Sequence, residues 1–134
     1  MSQAIIWNVV SDASVEMYSQ VLDPSKLNYD PKLELEALWT SVSSNGAYKD
    51  VKQVGKIQST NLPNKGAGGQ KVWLLDMTLT MESGPMEWKA WCFIGHENRG
   101  VYFIYILSKS GLYAKHKADI EYMLGTVKTY KLPK

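Results

Sequence analysis

Cysteine and histidine are scarce in this sequence, whose 134 residues include one cysteine, Cys92, and two histidines. A lone cysteine excludes an internal disulfide, and three such residues far apart do not make a zinc site. The chain also lacks an apolar run long enough for a transmembrane helix, and it begins without the basic segment of a signal peptide. We therefore expect a cytoplasmic protein without metal, cofactor or membrane span. A mature exported form would have the same features.

Charge is nearly balanced over the whole chain but unevenly distributed along it. The net charge is +2, with −4 in residues 1–50, +2 in residues 51–107 and +4 in residues 108–134. So small a total does not support nucleic-acid binding. The lysines of the last part are typical of a solvated helix face, and steering of an acidic partner is the alternative.

Residues 1–134 have the length of one domain. The clearest element is a helix at 32–46, with Asp30 as its cap and Pro31 at its first position. A second helix is predicted at 112–128, after Gly111. The apolar stripe of the first helix consists of Leu35, Leu38, Trp39 and Val42, at the spacing of an amphipathic helix.

Alternation of side chains predicts most of the remaining elements to be strands. The predicted strands are 4–10, 15–22, 51–60, 71–81, 86–95 and 100–108. A helix is a competing interpretation of residues 15–22, and 51–60 is polar enough for a sheet edge. The last three strands form an antiparallel meander. Asp-Pro pairs predict a turn and loop at 23–31, and the glycines of 61–70 predict a flexible loop.

The strands of the meander are apolar on both sides, whereas a sheet with one wet face alternates between apolar and polar residues. Both faces of the sheet are therefore covered. Either helices cover both, or one face meets a ligand, a protein partner or a second copy of the chain. The residues that would form such a surface are Trp88, Trp91, Phe93, Tyr102 and Ile104. The fold class that follows is α+β, an antiparallel sheet of about six strands flanked by the two helices.

The segment from Ser83 to Tyr130 resembles the C-terminal half of the PsbP-like α/β/α sandwich family. The resemblance rests on a charged hairpin "HENRG", an aromatic strand "VYFIYIL" and a closing helix "KADIEYMLGTVKTY". It covers about a third of the chain. The resemblance implies a non-enzymatic accessory or binding protein.

A second resemblance competes with the first. The segment "LEALWTSVSSNGAYKDVKQV" is similar to the helix and following strand of the nuclear-transport-factor-two-like cone fold, with Trp39 in the helix and Gly46, Tyr48 and Lys49 in the turn. That fold wraps a curved sheet around a pocket. The resemblance implies small-molecule binding, in some members with isomerase or dehydratase chemistry.

Few residues suggest catalysis. Asp76 interrupts an apolar strand, and a carboxylate in an apolar pocket acquires the raised pKa of a general base. The alternatives are that Asp76 pairs with a cross-strand lysine or lies at an exposed edge. His96 and Glu97 are interpreted as a surface turn, His116 as a boundary residue and Cys92 as an inert buried thiol.

Three hypotheses of function follow. We expect a non-enzymatic binding or accessory domain that acts through a protein partner or as a homo-oligomer. The alternative is a cone-type domain that binds or transforms a small apolar molecule in a pocket, and this alternative fails if helices fill both faces of the sheet. The residues lining that pocket would be Asp76, Tyr18, Trp88 and Tyr102. An immunity or inhibitor protein is the third hypothesis.

Overall fold

The computed structural model describes residues 2–8, 15–27, 29–95 and 99–127. In chain order the elements are β1 (Ser2–Asn8), β2 (Val15–Leu27), α1 (Pro31–Ser43), β3 (Lys49–Gln53), β4 (Gln58–Asn61), β5 (Lys71–Met81), β6 (Gly84–Ile94), β7 (Arg99–Lys109), α2 (Leu112–Lys115) and α3 (Lys117–Gly125). A 3₁₀ segment, Pro63–Gly69, joins β4 to β5. The α+β class predicted from the sequence is confirmed.

The described strands form one antiparallel sheet in the order β1-β2-β7-β6-β5-β3, and β4 also pairs with β5. The meander β5-β6-β7 is as predicted. The sheet has seven strands instead of about six, because the predicted strand 51–60 is divided into β3 and β4. Gly55, with a φ of 72°, lies between them. Both short strands pair along β5, so the prediction of an edge is confirmed.

Residues 15–22 are a strand, and the competing helix interpretation is wrong. β2 lies between β1 and β7, and Tyr18 is paired with Ile6 on one side and Tyr105 on the other. The strand continues to Leu27, beyond the predicted start of a loop at residue 23. Its register with β7 shifts between Leu22 and Leu27. Pro24 lies in that interval and has no N–H to donate to a ladder.

Helix α1 begins where the sequence predicts. The Asp30 carboxylate accepts hydrogen bonds from the backbone N–H groups of Lys32 at 3.0 Å and Leu33 at 3.4 Å, and Pro31 occupies the first turn. The helix ends at Ser43, three residues before the predicted end. The Ser44 hydroxyl donates to the Thr40 carbonyl oxygen at 2.6 Å, so a side chain satisfies a carbonyl of the last turn.

The predicted helix at 112–128 is two helices that meet at His116. That residue has φ −107° and ψ 21°, outside the helical range, and it closes α2 and opens α3. Leu112 and Tyr113 of α2 pack at the margin of the core that α3 covers. None of the helices in the described part of the chain has the length and apolarity needed to cross a bilayer.

Two apolar layers lie on opposite faces of the sheet. The α3 layer consists of Val15, Met17, Leu62, Ala67, Val72, Trp91, Phe93, Tyr102, Ile104, Ile106, Ile120 and Leu124. The α1 layer consists of Leu35, Val42, Leu75, Met77, Leu79, Met86, Ala90, Cys92, Val101 and Phe103. Helices on both faces explain why the meander strands are apolar on both sides.

The segment predicted as a flexible loop at 61–70 is packed against α3. Gly66 and Ala67 are buried, and the Ala67 N–H donates to the Val127 carbonyl oxygen at 2.6 Å. The Asn64 side-chain amide donates to the Glu121 carbonyl oxygen at 3.1 Å. These two hydrogen bonds anchor the segment, which the glycine content alone did not indicate.

Two predictions fall partly or wholly outside the described residues: the end of the first strand at residues 9–10 and the His96-Glu97 turn. The last helix is shorter than predicted, because α3 ends at Gly125 and the described residues 126–127 are not helical.

Candidate binding site

The five residues predicted to form a ligand or partner surface are divided between the two faces of the sheet. Four of them belong to the α3 layer and are at most 6% exposed: Trp91, Phe93, Tyr102 and Ile104. They are core residues in this fold and present no surface to a partner. Trp88 lies on the opposite face, at the margin of the α1 layer, and is half-buried.

Asp76 forms an ion pair with a cross-strand lysine, one of the alternatives considered above. It is directly opposite Lys89 in the register of β5 and β6, and the ammonium nitrogen lies 2.6 Å from its carboxylate oxygen. The two side chains are 22% and 20% exposed. The Lys89 ammonium also lies 5.0 Å from the centre of the Tyr113 ring. Asp76 is therefore engaged with a cation on the α3 side of the sheet.

No group of three or more His, Cys, Asp and Glu side chains within the described ranges is placed to hold a metal ion. Cys92 is fully buried in the α1 layer, and burial raises the pKa of its thiol. A buried protonated thiol is a poor nucleophile. The described residues thus offer neither a metal-binding group nor a reactive thiol as a site.

An aromatic cavity of about 280 Å³ opens on the α1 side of the sheet. Its lining residues are Tyr18, Tyr48, Met81, Trp88, Tyr105 and Leu107. We refer to it as the aromatic cavity. Four of the six lining residues are aromatic and the other two are apolar.

The cavity exists because α1 covers part of its face. The helix packs chiefly on β3, β5 and β6. β7 and β2 lie beyond the helix. In the described chain, no helix covers their side chains on this face, which are Tyr105, Leu107 and Tyr18. Tyr48, which follows α1 in the chain, also lines the cavity and contacts Trp88.

The aromatic rings of the wall contact one another edge to face. Trp88 is 6.2 Å from Tyr48 at an interplanar angle of 87°, and 5.9 Å from Tyr105 at 75°. Tyr105 in turn stacks on Phe103, with 5.6 Å between ring centres. Such arrangements are favourable for aromatic pairs. The wall is therefore a set of mutually packed rings on a sheet, and its shape is largely preformed.

The polar groups of the wall are few, and two tyrosine hydroxyls already have acceptors. Tyr18 donates to the Glu16 carboxylate, and Tyr105 donates to the Gln20 side-chain oxygen at 3.5 Å. Burial raises the pKa of Tyr105, while burial and the bonded, charged Glu16 raise the pKa of Tyr18 to about 12. Both phenols are therefore neutral at physiological pH.

The Trp88 indole nitrogen is the exception. It is buried, and no acceptor lies within hydrogen-bonding distance of it among the described residues. Buried polar groups nearly always have a partner. This unpartnered N–H belongs to a residue that lines the cavity.

The sequence prediction of a pocket was partly right about its residues. Tyr18 and Trp88 line the cavity, whereas Asp76 and Tyr102 lie on the other face of the sheet. The other four lining residues were not predicted: Tyr48, Met81, Tyr105 and Leu107. Alternation along β7 places Tyr105 and Leu107 on one face of that strand, and the register that pairs Leu107 with Trp88 makes it the cavity face.

The comparisons with known proteins support the fold alone. No protein-family model matches the chain, and no curated protein matches it. Among solved structures, the chain is similar to PA94 from Pseudomonas aeruginosa, a protein of unknown function provisionally described as a regulator. The TM-score is 0.65 at 13% identity, over 100% of this chain and 86% of PA94. An identity this low carries no residue roles from one chain to the other.

Proposed function

We propose that the protein is a non-enzymatic binding domain and that the aromatic cavity is its binding site. The observation that carries the proposal is the composition of the cavity wall, in which four of the six residues are aromatic and the other two are apolar. Concave, mostly apolar sites with few polar groups are typical of ligand-binding pockets. A wall of this kind retains apolar groups by removing their surface from water.

The chemistry of the wall favours binding over catalysis. Its two hydrogen-bonded phenols have raised pKa values and do not act as bases near neutral pH. Asp76 is on the opposite side of the sheet in an ion pair, and the Cys92 thiol is buried. A general acid or base must lie within hydrogen-bonding reach of the group it serves.

A protein partner stays a prediction. The large apolar side chains that are most exposed among the described residues are Leu33, Val54 and Tyr122. They lie on α1, after β3 and on α3, and scattered exposed apolar residues are normal for a protein surface. The description of PA94 as a provisional regulator is compatible with a domain that senses a ligand, and nothing more specific is carried over.

The test is a titration of the protein with indane, a small two-ring hydrocarbon, followed by heteronuclear NMR. We expect saturable shifts confined to the amides around Trp88, Tyr105 and Leu107. Leu107→Trp adds volume at the wall and is expected to weaken binding at least tenfold. Leu33→Trp, at an exposed position on α1 (58% exposed), is the matched control and is expected to leave binding unchanged. Absence of saturable shifts, or shifts spread over both faces of the sheet, would refute the proposal.

A further inference from the structure

We infer that the aromatic cavity selects a small organic cation with a methylated ammonium group, whose charge lies among the aromatic rings and beside the Glu16 carboxylate. Three features of the site carry this inference, which rests on the proposed function and names the chemical class of its ligand. They are the rings of the wall, the carboxylate beside them and the size of the cavity.

The first feature is the aromatic wall. Four of the six lining residues carry aromatic rings: Tyr18, Tyr48, Trp88 and Tyr105. The face of such a ring is electron-rich and attracts cations, most strongly in tryptophan. The plane of Trp88 stands at 87° to that of Tyr48 and at 75° to that of Tyr105. Planes this steep to each other cross along a single line, so a group away from that line lies above or below at least one ring.

The second feature is the Glu16 carboxylate. Glu16 is directly opposite Leu107 in the register of β2 and β7, and residues opposite each other in a sheet point to the same face. The carboxylate also accepts a hydrogen bond from the Tyr18 hydroxyl. Both Leu107 and Tyr18 line the cavity, so these contacts place a negative charge at its margin.

Among the side chains that the structure describes, no lysine, arginine or histidine forms an ion pair with Glu16 or lines the cavity. Lys109 is two residues beyond Leu107 on the same face of β7, but it is exposed, and water and salt screen its charge. The half-buried Glu16 carboxylate keeps free lone pairs after it accepts one hydrogen bond. It therefore favours a ligand that brings a positive charge and disfavours an anion.

The third feature is the size of the cavity. An apolar cavity of about 150 Å³ holds one benzene molecule. The aromatic cavity measures about 280 Å³, so it has room for a trimethylammonium group, which is no larger than benzene, and for part of the chain attached to it. A bare ammonium group is strongly hydrated. Methyl groups on the nitrogen reduce that hydration and also bury apolar surface against the wall.

The experiment compares choline with neohexyl alcohol, in which a carbon atom replaces the charged nitrogen and the shape is kept. We expect choline to bind the wild-type protein about five- to thirtyfold more tightly, the range that a cation–π contact contributes as it loses water. Heteronuclear NMR titration measures both affinities. The choline methyl protons are expected to shift upfield on binding, because the ring current shields protons that lie over the face of an aromatic ring.

Glu16→Gln tests the carboxylate. The variant removes the negative charge and keeps a side-chain oxygen that can accept from Tyr18. We expect the preference for choline over neohexyl alcohol to fall about two- to fivefold, the contribution of a partly exposed charge pair. Asp119→Asn is the matched control, because it removes the same charge from an exposed position on α3, on the other side of the sheet. It should leave the preference unchanged.

The outcomes separate the inference from the proposed function. If neither choline nor indane binds, the proposed function fails and the inference fails with it. If indane binds but choline binds no more tightly than neohexyl alcohol, or Glu16→Gln leaves the preference unchanged, the inference alone is overturned. Tighter binding of phosphocholine than of choline would replace the free cation by a lipid headgroup as the occupant. The wild-type comparison of ligands decides the question even if Glu16→Gln does not fold.

Discussion

Individual residues of this protein acquire their chemical character from the face of the sheet on which they lie. Asp76 and Trp88 are on adjacent strands, yet one is paired with Lys89 on the α3 side and the other lines the aromatic cavity on the α1 side. A partly exposed ion pair contributes little stability, about 0–1 kcal/mol. The Asp76–Lys89 pair is therefore better understood as a way to accommodate a carboxylate beside an apolar layer than as a stabilising feature.

Tyr113 provides a pH test of this neighbourhood. Burial, followed by the charges of Glu121, Asp76 and Glu87, raises its pKa from 10.0 to about 12. Between about pH 10 and about pH 12 the folded state thus holds more protons than the unfolded state, so the free energy of unfolding falls as pH rises through this range. We expect Tyr113→Phe to reduce that fall, as measured by urea unfolding across the range.

The control for this prediction is Tyr122→Phe, because Tyr122 is 72% exposed on α3. It should leave the pH dependence as in the wild type. Equal slopes in Tyr113→Phe and the wild-type protein would contradict the assignment of a buried phenol at this position.

At the scale of the elements, the most specific contact is between the 3₁₀ segment and α3. A Cβ atom added to Gly66 would lie 2.1 Å from the Leu124 carbonyl oxygen, a backbone atom that cannot rotate away. Gly125 is similarly close to Asn64, where a Cβ atom would lie 2.7 Å from the Asn64 Cβ. Two glycines thus allow two backbones to approach closely at the edge of the α3 layer.

We therefore expect Gly66→Ala to lower the free energy of unfolding by about 1–3 kcal/mol, the usual cost of forcing an extra group into a packed site. Gly46→Ala is the matched control, because nothing lies within 4 Å of the position its Cβ would take. Its effect should stay within about 0.5 kcal/mol. Chemical denaturation of both variants makes the comparison. A Gly66→Ala variant as stable as the control would show that the segment is not held against α3.

At the scale of the whole molecule, the central strands have partners on both edges and apolar layers on both faces. β6 and β7 lie in the middle of the sheet, whereas β3 and β4 are short and pair along one side of β5. Opening β6 or β7 exposes both apolar layers at once, because each strand contributes residues to each layer. Local opening of β3 or β4 exposes much less.

Native-state hydrogen exchange should reflect this difference. We expect the amides of β6 and β7 to exchange most slowly, with opening free energies near that of global unfolding, and those of β3 and β4 to exchange faster through local opening. Uniform protection of all four strands would contradict the order of stability inferred from the sheet.

The amino-acid sequence by itself determined the local features of this fold. Asp30 and Pro31 start α1, because capping involves only neighbouring residues. The meander strands followed from alternation, and their apolar character on both sides indicated that both faces of the sheet are covered. Each of these inferences depends on side-chain chemistry within a few residues of chain.

The tertiary structure alone decided how distant segments meet. Three features depend on contacts between residues far apart in sequence. They are the placement of β2 between β1 and β7, the break at His116 and the anchoring of Gly66 against α3. The aromatic cavity is of the same kind, because Tyr18, Tyr48 and Trp88 come from three separate parts of the chain. Alternation specifies the face on which a side chain lies, but strand order and register determine its neighbours.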